Sequence, residues 1–469
     1  MQKLQRHLGL FDVYVICTGA MFSSGFFLLP GLAAAQAGPA VILAYFLAGL
    51  LIIPSVISMA ELCSGMPKAG GGYLFIERSL GPFAGTVGGL TTWIALNFKT
   101  AFTLVGIGAY LTLLADVPIQ TLAVALAIFF TGLNIFGVKE ALGFQKILVI
   151  SLLAILGLFV VQGFYRVVDL GMVGVHQQKF SPFMPFGIHG TLSTTAFVFI
   201  SYLGLTKVAT LAEEVERPSR NIPLGMFLAL GSTTLIYMLG IYVMVAVVDP
   251  EILSEDNTPV ATAADEVMGW LPWSLGFMLI MVAAIAAFVS TANAGLLSSA
   301  RYPVALARDH VFPKPLAKIG RFQTPTRAVI LSAAIIVLMI IFLPVEDLAK
   351  MGSATQLILF ILLNAAVIIM RSSGIKAYQP GFRSPLYPWV QVGGILICLV
   401  LLIELGWEPF LFALGLALLA GLWYLFYVRA RVQHDAAIDR VFGKRPEGRD
   451  PLEDEIAAMV RDSDESRAG

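Results

Sequence analysis

The segment "TTWIALNFKTAFTLVG", residues 91–106, places Lys99 near the middle of a stretch otherwise apolar enough to cross a bilayer. An ammonium at that depth is costly, and ionisable residues inside membrane spans mark binding sites, ion pathways or proton relays by default. Lys99 could neutralise an acidic group on a ligand, serve as a fixed internal cation, or shuttle a proton. The alternative is a structural ion pair with an internal carboxylate such as Glu61. A second group with chemical capacity lies in "TGAMFSSGFFLLPG", residues 18–31, where Gly19, Ser23, Ser24, Gly25 and Pro30 crowd a hydrophobic run. These residue types weaken a helix from within, so a break is expected there. A third, "TLSTTAFVFISYLGLTKVATLAEE" from Thr191 to Glu214, reads as interrupted near "SYLG".

Breaking a helix in lipid strands backbone donors and acceptors, and each unsatisfied group costs several kcal/mol. A ligand can satisfy them. Freed amides near Ser23, Ser24 and Gly25 would present a positive dipole end to a carboxylate. Freed carbonyls from Ser201 to Gly204 would face an ammonium or a metal cation. One Gly/Ser break is ordinary in packed membrane helices; two at matched positions point to a binding site.

The elements that must position these groups follow from composition. Of 469 residues, 58% are hydrophobic and only 13% charged, with a mean hydropathy of +0.84. A soluble protein of this length would need far more charge to cover its surface, so the bilayer is the expected solvent. Apolar stretches of about 20 residues recur about twelve times. They begin near residues 10, 40, 83, 119, 142, 191, 222, 272, 326, 350, 386 and 408. The two broken spans are then the first and the sixth. An odd repeat length inverts the second copy relative to the first, as in secondary transporters with discontinuous helices.

Loop charges orient the array. Alternate connections carry Lys68 and Arg78, then Lys139, then Arg217 and Arg220, then Arg308, Lys314, Lys318, Arg321 and Arg327, then Arg371, Lys376 and Arg383. An intervening loop, "VVDPEILSEDNTPVATAADEVMGW", has no Lys or Arg. The positive-inside rule therefore places both termini in the cytoplasm. The N-terminus shows no cleavage site and is expected to be retained, its first span acting as the insertion signal. Residues 429–469 form a charged tail, read as a short helix with a frayed end.

Several function classes drop out. Zero formal net charge argues against nucleic acid as a partner. There is no phosphate-binding loop for ATP-driven transport. His7, His176, His189, His310 and His434 show no metal or triad spacing, and Cys17, Cys63 and Cys398 read as small buried hydrophobes.

The segment "GAMFSSGFFLLPG" is similar to the first-helix signature G-x-x-I-G-S-G-I-F-x-x-P-G of the amino acid–polyamine–organocation transporters. "AELCSGMPKAGGGYLFIERSLGP", "GLNIFGVKE", "ATLAEEVERPSRNIP", "ARYPVALARDHVFPKPLAKIGRFQTPTRAVIL" and "RSPLYPWVQVGGILICLVLL" follow in that family's order. The resemblance reaches Arg431. It implies an all-α integral membrane protein of about 12 helices with the leucine-transporter-type fold. Inverted five-helix repeats would span about residues 10–165 and 191–371, followed by two extra helices over 386–428. Residues 1–9 and 429–469 would flank this domain in the cytoplasm.

The activity implied is secondary active transport of amino acids or related amines across a bacterial-type inner (plasma) membrane, not enzymatic catalysis. Ser23, Ser24 and Gly25 match the family's carboxylate-holding G-S-G. Phe199, Ser201, Leu203 and Gly204 match the sixth-helix segment that receives the substrate amine, with Lys99 lining the same cavity. Ile200 occupies a position where relatives carry an aromatic gate, a role Phe199 could take. Proton-linked relatives carry a fifth-helix lysine where this chain has Leu152; Lys146, nearly two turns earlier, is expected to snorkel to the interface. In the eighth span, "AAFVSTANAG" offers Ala287, Ser290 and Thr291, a spacing that resembles the family fold's sodium site. Gly19 and Phe22 would complete it with carbonyls, and sodium is the expected coupling ion. The plain alternative is hydroxyls bonding back to their own helix. Proton coupling, uncoupled exchange and a transporter-like sensor are the rival readings. Glu213, Glu214, Arg217 and Arg220 after the sixth span would help form an inner gate.

Overall fold

The computed structural model describes residues 7–68, 70–137, 142–322, 324–432, 436–443 and 451–465. Val138, Lys139 and Glu140 of "GLNIFGVKE", together with Ala69, Gln323 and His434, lie outside the described residues. Among the described residues the secondary structure is helical, without a β-strand.

The first span comes in three pieces, α1 (Leu10–Met21), α2 (Ser24–Phe27) and α3 (Leu29–Ala37), and the second in two, α4 (Val41–Leu51) and α5 (Ile53–Gly65). Next come α6 (Gly71–Thr112), α7 (Ile119–Ile135), α8 (Leu142–Asp169) and the short α9 (Met172–Lys179). The sixth span opens as α10 (Gly187–Phe197), winds into a 3-10 segment over Val198–Lys207 and closes with α11 (Val208–Leu211). α12 (Pro218–Val247) leads through α13 (Pro250–Glu255) and α14 (Pro259–Met268) to α15 (Leu275–Arg308). The array ends with α16 (Thr326–Phe342), α17 (Val345–Ser372), α18 (Trp389–Glu404) and α19 (Trp407–Trp423), before tail helices α20 (Ala437–Val441) and α21 (Pro451–Glu465). Among the described residues, 8 helices are long and apolar enough to span a bilayer, with shorter apolar helices beside them. Their positions follow the hydropathy pattern.

α6 is the central strut, packed along α15 and α17. It kinks at Gly81, whose φ of 88° lies in the left-handed region, just before Pro82. A glycine is required there because a Cβ would clash with the local backbone. In the sixth span the α-helix gives way around "SYLG" to 10 residues that keep a helical path at tighter pitch. Hydrogen bonds between residues three apart keep the segment's backbone groups paired, and the Ile200 carbonyl also accepts from outside the segment.

The two broken spans are tied at one end. Leu8, just before α1, bridges in parallel to Val215, just after the sixth span. The amides of His7 and Leu8 both donate to Glu214 O at 3.1 Å, and Glu216 N donates to Leu8 O at 2.9 Å.

Buried charge is handled by pairing. Glu61 accepts from Arg371 Nε and Nη2 at 2.7 Å each and from Ser384 N at 2.7 Å. Tyr378 O–H lies 3.3 Å from the same carboxylate. Burial, and then that carboxylate, push the Tyr378 phenol well above its ordinary pKa. Glu61 is therefore committed to Arg371, which corrects the alternative that paired it with Lys99. Lys146, expected to snorkel, instead pairs with Asp12 at 2.6 Å. The tail also docks: Glu455 of α21 meets Arg78 at 2.9 Å, and Leu452 and Ile456 are buried.

Removing one member of a buried, hydrogen-bonded ion pair typically costs about 3–5 kcal/mol, because the other charge is left alone. Glu61→Ala should therefore lower the thermal unfolding midpoint in detergent markedly. Glu61→Met combined with Arg371→Leu should recover most of the loss. A single change no worse than the double one would show that the pair does not hold α5 to α17.

Candidate functional site

The site grows from the gap between α1 and α2. Phe22 (ψ 78°) and Ser23 (φ −147°, ψ −118°) leave helical geometry, so α2 restarts at Ser24 with its first-turn amides lacking a preceding turn. Phe26 N and Phe27 N donate back to Ser23 O at 3.1 and 3.0 Å, which restores the helix within one turn. Ser23 and Ser24 are buried, and among the described residues the Ser23 hydroxyl has no hydrogen-bond partner.

The carbonyls released by the break are met by phenols from other helices. Tyr237 of α12 donates to Met21 O at 2.7 Å, Tyr45 of α4 to Gly25 O at 2.8 Å, and Tyr110 of α6 to Phe27 O at 3.0 Å. Tyr202 of the 3-10 segment donates to Tyr45 O at 3.0 Å. A buried tyrosine needs an acceptor for its hydroxyl, and a broken helix supplies acceptors. The rings of Phe22 and Phe26 pack on Tyr237 at 5.3 and 5.8 Å. None of these tyrosines stood out in the sequence reading. Their signal was present: a Tyr in the middle of an apolar run has a polar end to satisfy.

The 3-10 segment is pinned from its other side. Ser353 of α17 donates to Phe197 O at 2.7 Å and accepts from Ile200 N at 3.0 Å. Lys99 Nζ donates to Ile200 O at 3.0 Å and is 6% exposed. Thus Lys99 meets a carbonyl of the 3-10 segment, on the residue beside Ser201.

The two broken spans touch directly. A Cβ on Gly25 would lie 2.7 Å from the Ser201 side chain and from Tyr237 Oη. A Cβ on Gly204 would lie 2.8 Å from the backbone at Ala20 and Met21. Ser23, Ser24, Gly25, Ser201, Gly204 and Lys99 are therefore gathered in one region. Phe199 turns its ring to Phe360 of α17 at 6.2 Å, and Ile200 fills the notch at Gly352. Leu203 packs in a separate apolar cluster with Tyr73, Trp93 and Tyr302, so only its backbone faces the break; its carbonyl already accepts from Thr206.

Beside α1, a cavity of about 110 Å³ opens between α8 and α15. Gly19, Ala287 and Ser290 line it, as do Ser151 and Leu152. Thr291 Oγ1 donates to Gly19 O at 3.4 Å. Phe22 is not among the lining residues. Ser151 is a further hydroxyl that the sequence reading overlooked, one position before the leucine that replaces the fifth-helix lysine.

Residues 12–432 match the family described as amino acid permease. The chain is 27% identical over 457 residues to the branched-chain amino acid permease BcaP of Bacillus subtilis, covering 91% of this chain and 94% of that protein. It is 29% identical over 429 residues to the methylthioribose transporter of Bacillus subtilis, covering 85% and 88%. It is 28% identical over 391 residues to cationic amino acid transporter 3, mitochondrial, of Arabidopsis thaliana, covering 79% and 63%.

The close approach at Gly204 makes a direct stability test. Gly204→Val should cost roughly 1–3 kcal/mol or more, because the rigid backbone of α1 cannot yield to it. Gly231, on α12, has nothing within 4 Å of its Cβ position. Gly231→Ala should be neutral or stabilising by up to about 1 kcal/mol. Equal thermal midpoints for the two variants would mean that the spans do not meet as described.

Proposed function

The chain belongs to the amino acid permease family, and from that premise we propose that it is a secondary active transporter that carries its cargo by alternating access. It is a multi-pass membrane protein of amino acid transport and not an enzyme. The observation that carries the proposal is the meeting of two broken spans at Gly25 with Ser201 and at Gly204 with Ala20. In this reading the first-turn amides at Ser24 and Gly25, with the Ser23 hydroxyl, hold the cargo carboxylate. The carbonyls beside Ser201 receive its amine. The five-helix repeats over about 10–165 and 191–371 would be inverted copies, with α18 and α19 as additions. Both termini would lie on the cytoplasmic side of the plasma membrane, with the bridge of Leu8 to Val215 closing the inner end.

Coupling is assigned to sodium. Gly19, Ala287 and Ser290 face one cavity, Thr291 reaches Gly19 O, and Ser151 adds a hydroxyl. An all-oxygen set without a carboxylate suits a weakly held monovalent cation. Leu152 at the same cavity offers no charge to replace it. Phe22 is the weakest member of the set, since it does not line the cavity.

Two measurements test this reading. Ser23→Ala, which removes the unpartnered hydroxyl without adding bulk, should weaken cargo binding by on the order of tenfold while the protein remains monodisperse in detergent; undiminished affinity would remove the hydroxyl from the carboxylate assignment. In proteoliposomes, concentrative uptake should collapse when choline replaces sodium, and Ser290→Ala with Thr291→Ala should weaken the sodium response by on the order of tenfold or more. Uptake equally concentrative in choline would point to proton coupling, exchange alone would point to an uncoupled exchanger, and binding without flux to a sensor.

A further inference from the structure

We propose that Lys99 selects the cargo by its side chain, and that the preferred cargo is an amino acid bearing a second carboxylate. The proposal rests on the transporter reading and deepens it.

Lys99 is a buried basic side chain with no counter-ion among the described residues. Among the described residues no carboxylate lies within ion-pairing distance of its ammonium, and its hydrogen bond goes to a neutral carbonyl, Ile200 O. An ammonium has three donors, and a single carbonyl occupies one of them. The charged neighbour it feels is Lys207, at the far end of the same 3-10 segment, which is another cation. The other deeply buried carboxylates are already committed. Asp12 pairs with Lys146, Glu61 with Arg371, and Glu77 with Arg78.

Nothing among the described residues supplies an anion to Lys99, and the cargo is the group that would. Ile200, whose carbonyl holds Lys99, is the neighbour of Ser201, and Ser201 lies against Gly25. The ammonium is thus held beside the region proposed to take the cargo's own carboxylate and amine. A cationic side chain would add positive charge next to Lys99 with no buried carboxylate to balance it. A neutral side chain would leave Lys99 as it is. An anionic side chain would supply a charge-assisted partner in a low-dielectric setting, where such bonds are strongest. The neutral α-amino and α-carboxylate pair binds all amino acids alike, so discrimination falls to this contact.

The test is competition in proteoliposome uptake and ligand-induced thermal stabilisation in detergent, using glutamate, aspartate, glutamine, asparagine, leucine and lysine. Each amide is nearly isosteric with its acid and differs in charge. The acids should outcompete their amides by on the order of tenfold or more. Lys99→Met should bring the acid-to-amide ratio close to unity, and Lys99→Arg should keep part of it. Amides or leucine competing as well as the acids in the native protein would overturn the proposal without any variant. An unchanged ratio in Lys99→Met would overturn it as well. If no amino acid in the panel bound or moved, the transporter reading would fail and this inference with it. Binding of neutral or basic amino acids alone would reject only the selectivity.

Discussion

The structure depends on one constraint: a helix broken inside a membrane must find partners for its stranded backbone groups. In this chain the partners are named and come from four directions. Phenols of Tyr237, Tyr45 and Tyr110 reach the carbonyls released around α2. Ser353 reaches Phe197 O at the end of α10, and Lys99 reaches Ile200 O within the 3-10 segment. The five donors sit on four spans, so the two breaks act as a hub on which α4, α6, α12 and α17 converge. Among the described residues the Ser23 and Ser201 hydroxyls, one at each break, are left without a hydrogen-bond partner, and these are groups a ligand can meet.

Much of this was legible in the sequence because membrane spans declare themselves by length and hydropathy. The run of helices from Leu10 to Val428 follows the apolar pattern closely, and the first break falls at Phe22 and Ser23, within the Gly/Ser-rich segment. The second break was legible as a place and not as a geometry. Composition near "SYLG" weakens an α-helix, yet choosing between extended chain and a 3-10 run depends on Ser353 and Lys99, which lie on distant spans. The same limit explains Phe199. Its position in the motif is fixed by sequence, but its rotamer is fixed by Phe360, and no local signal carries that contact. Lys146 went the other way, because a free interface lysine and one that meets Asp12 look identical until α1 and α8 are packed.

Interior charges fall into two kinds here, and the difference is what separates architecture from chemistry. Glu61 is saturated by Arg371, Ser384 and Tyr378, a closed network whose satisfied lone pairs leave nothing for a ligand. Such a network sets the mutual position of α5 and α17 near one end of the bundle. Lys99 has a carbonyl and spare donors. Desolvation penalises both ions, but only the first is compensated by the protein itself. A basic group left uncompensated at this depth is one that an incoming anion can complete, which is why the proposed cargo chemistry is attached to Lys99 and not to the more numerous charges at the rim.

The proposed sodium cavity and the proposed cargo region share one element, which would give the proposed coupling a physical route. Gly19 presents its carbonyl to Thr291 and its Cα face to the cavity between α8 and α15. Met21, further along the same helix, gives its carbonyl to Tyr237, and Gly25 beyond the break packs against Ser201. In the proposed reading, a movement of α1 relative to α15 that lengthens the contact of Thr291 with Gly19 O would also displace the Met21 end of α1, next to the proposed cargo groups. Two ligands that bias the same pair of arrangements are linked reciprocally, whatever the distance between them. A cation that holds α1 to α15 would therefore prepare Ser24 and Gly25 for a carboxylate. The carboxylate would in turn tighten the cation site, because both act on one short, hinged length of chain.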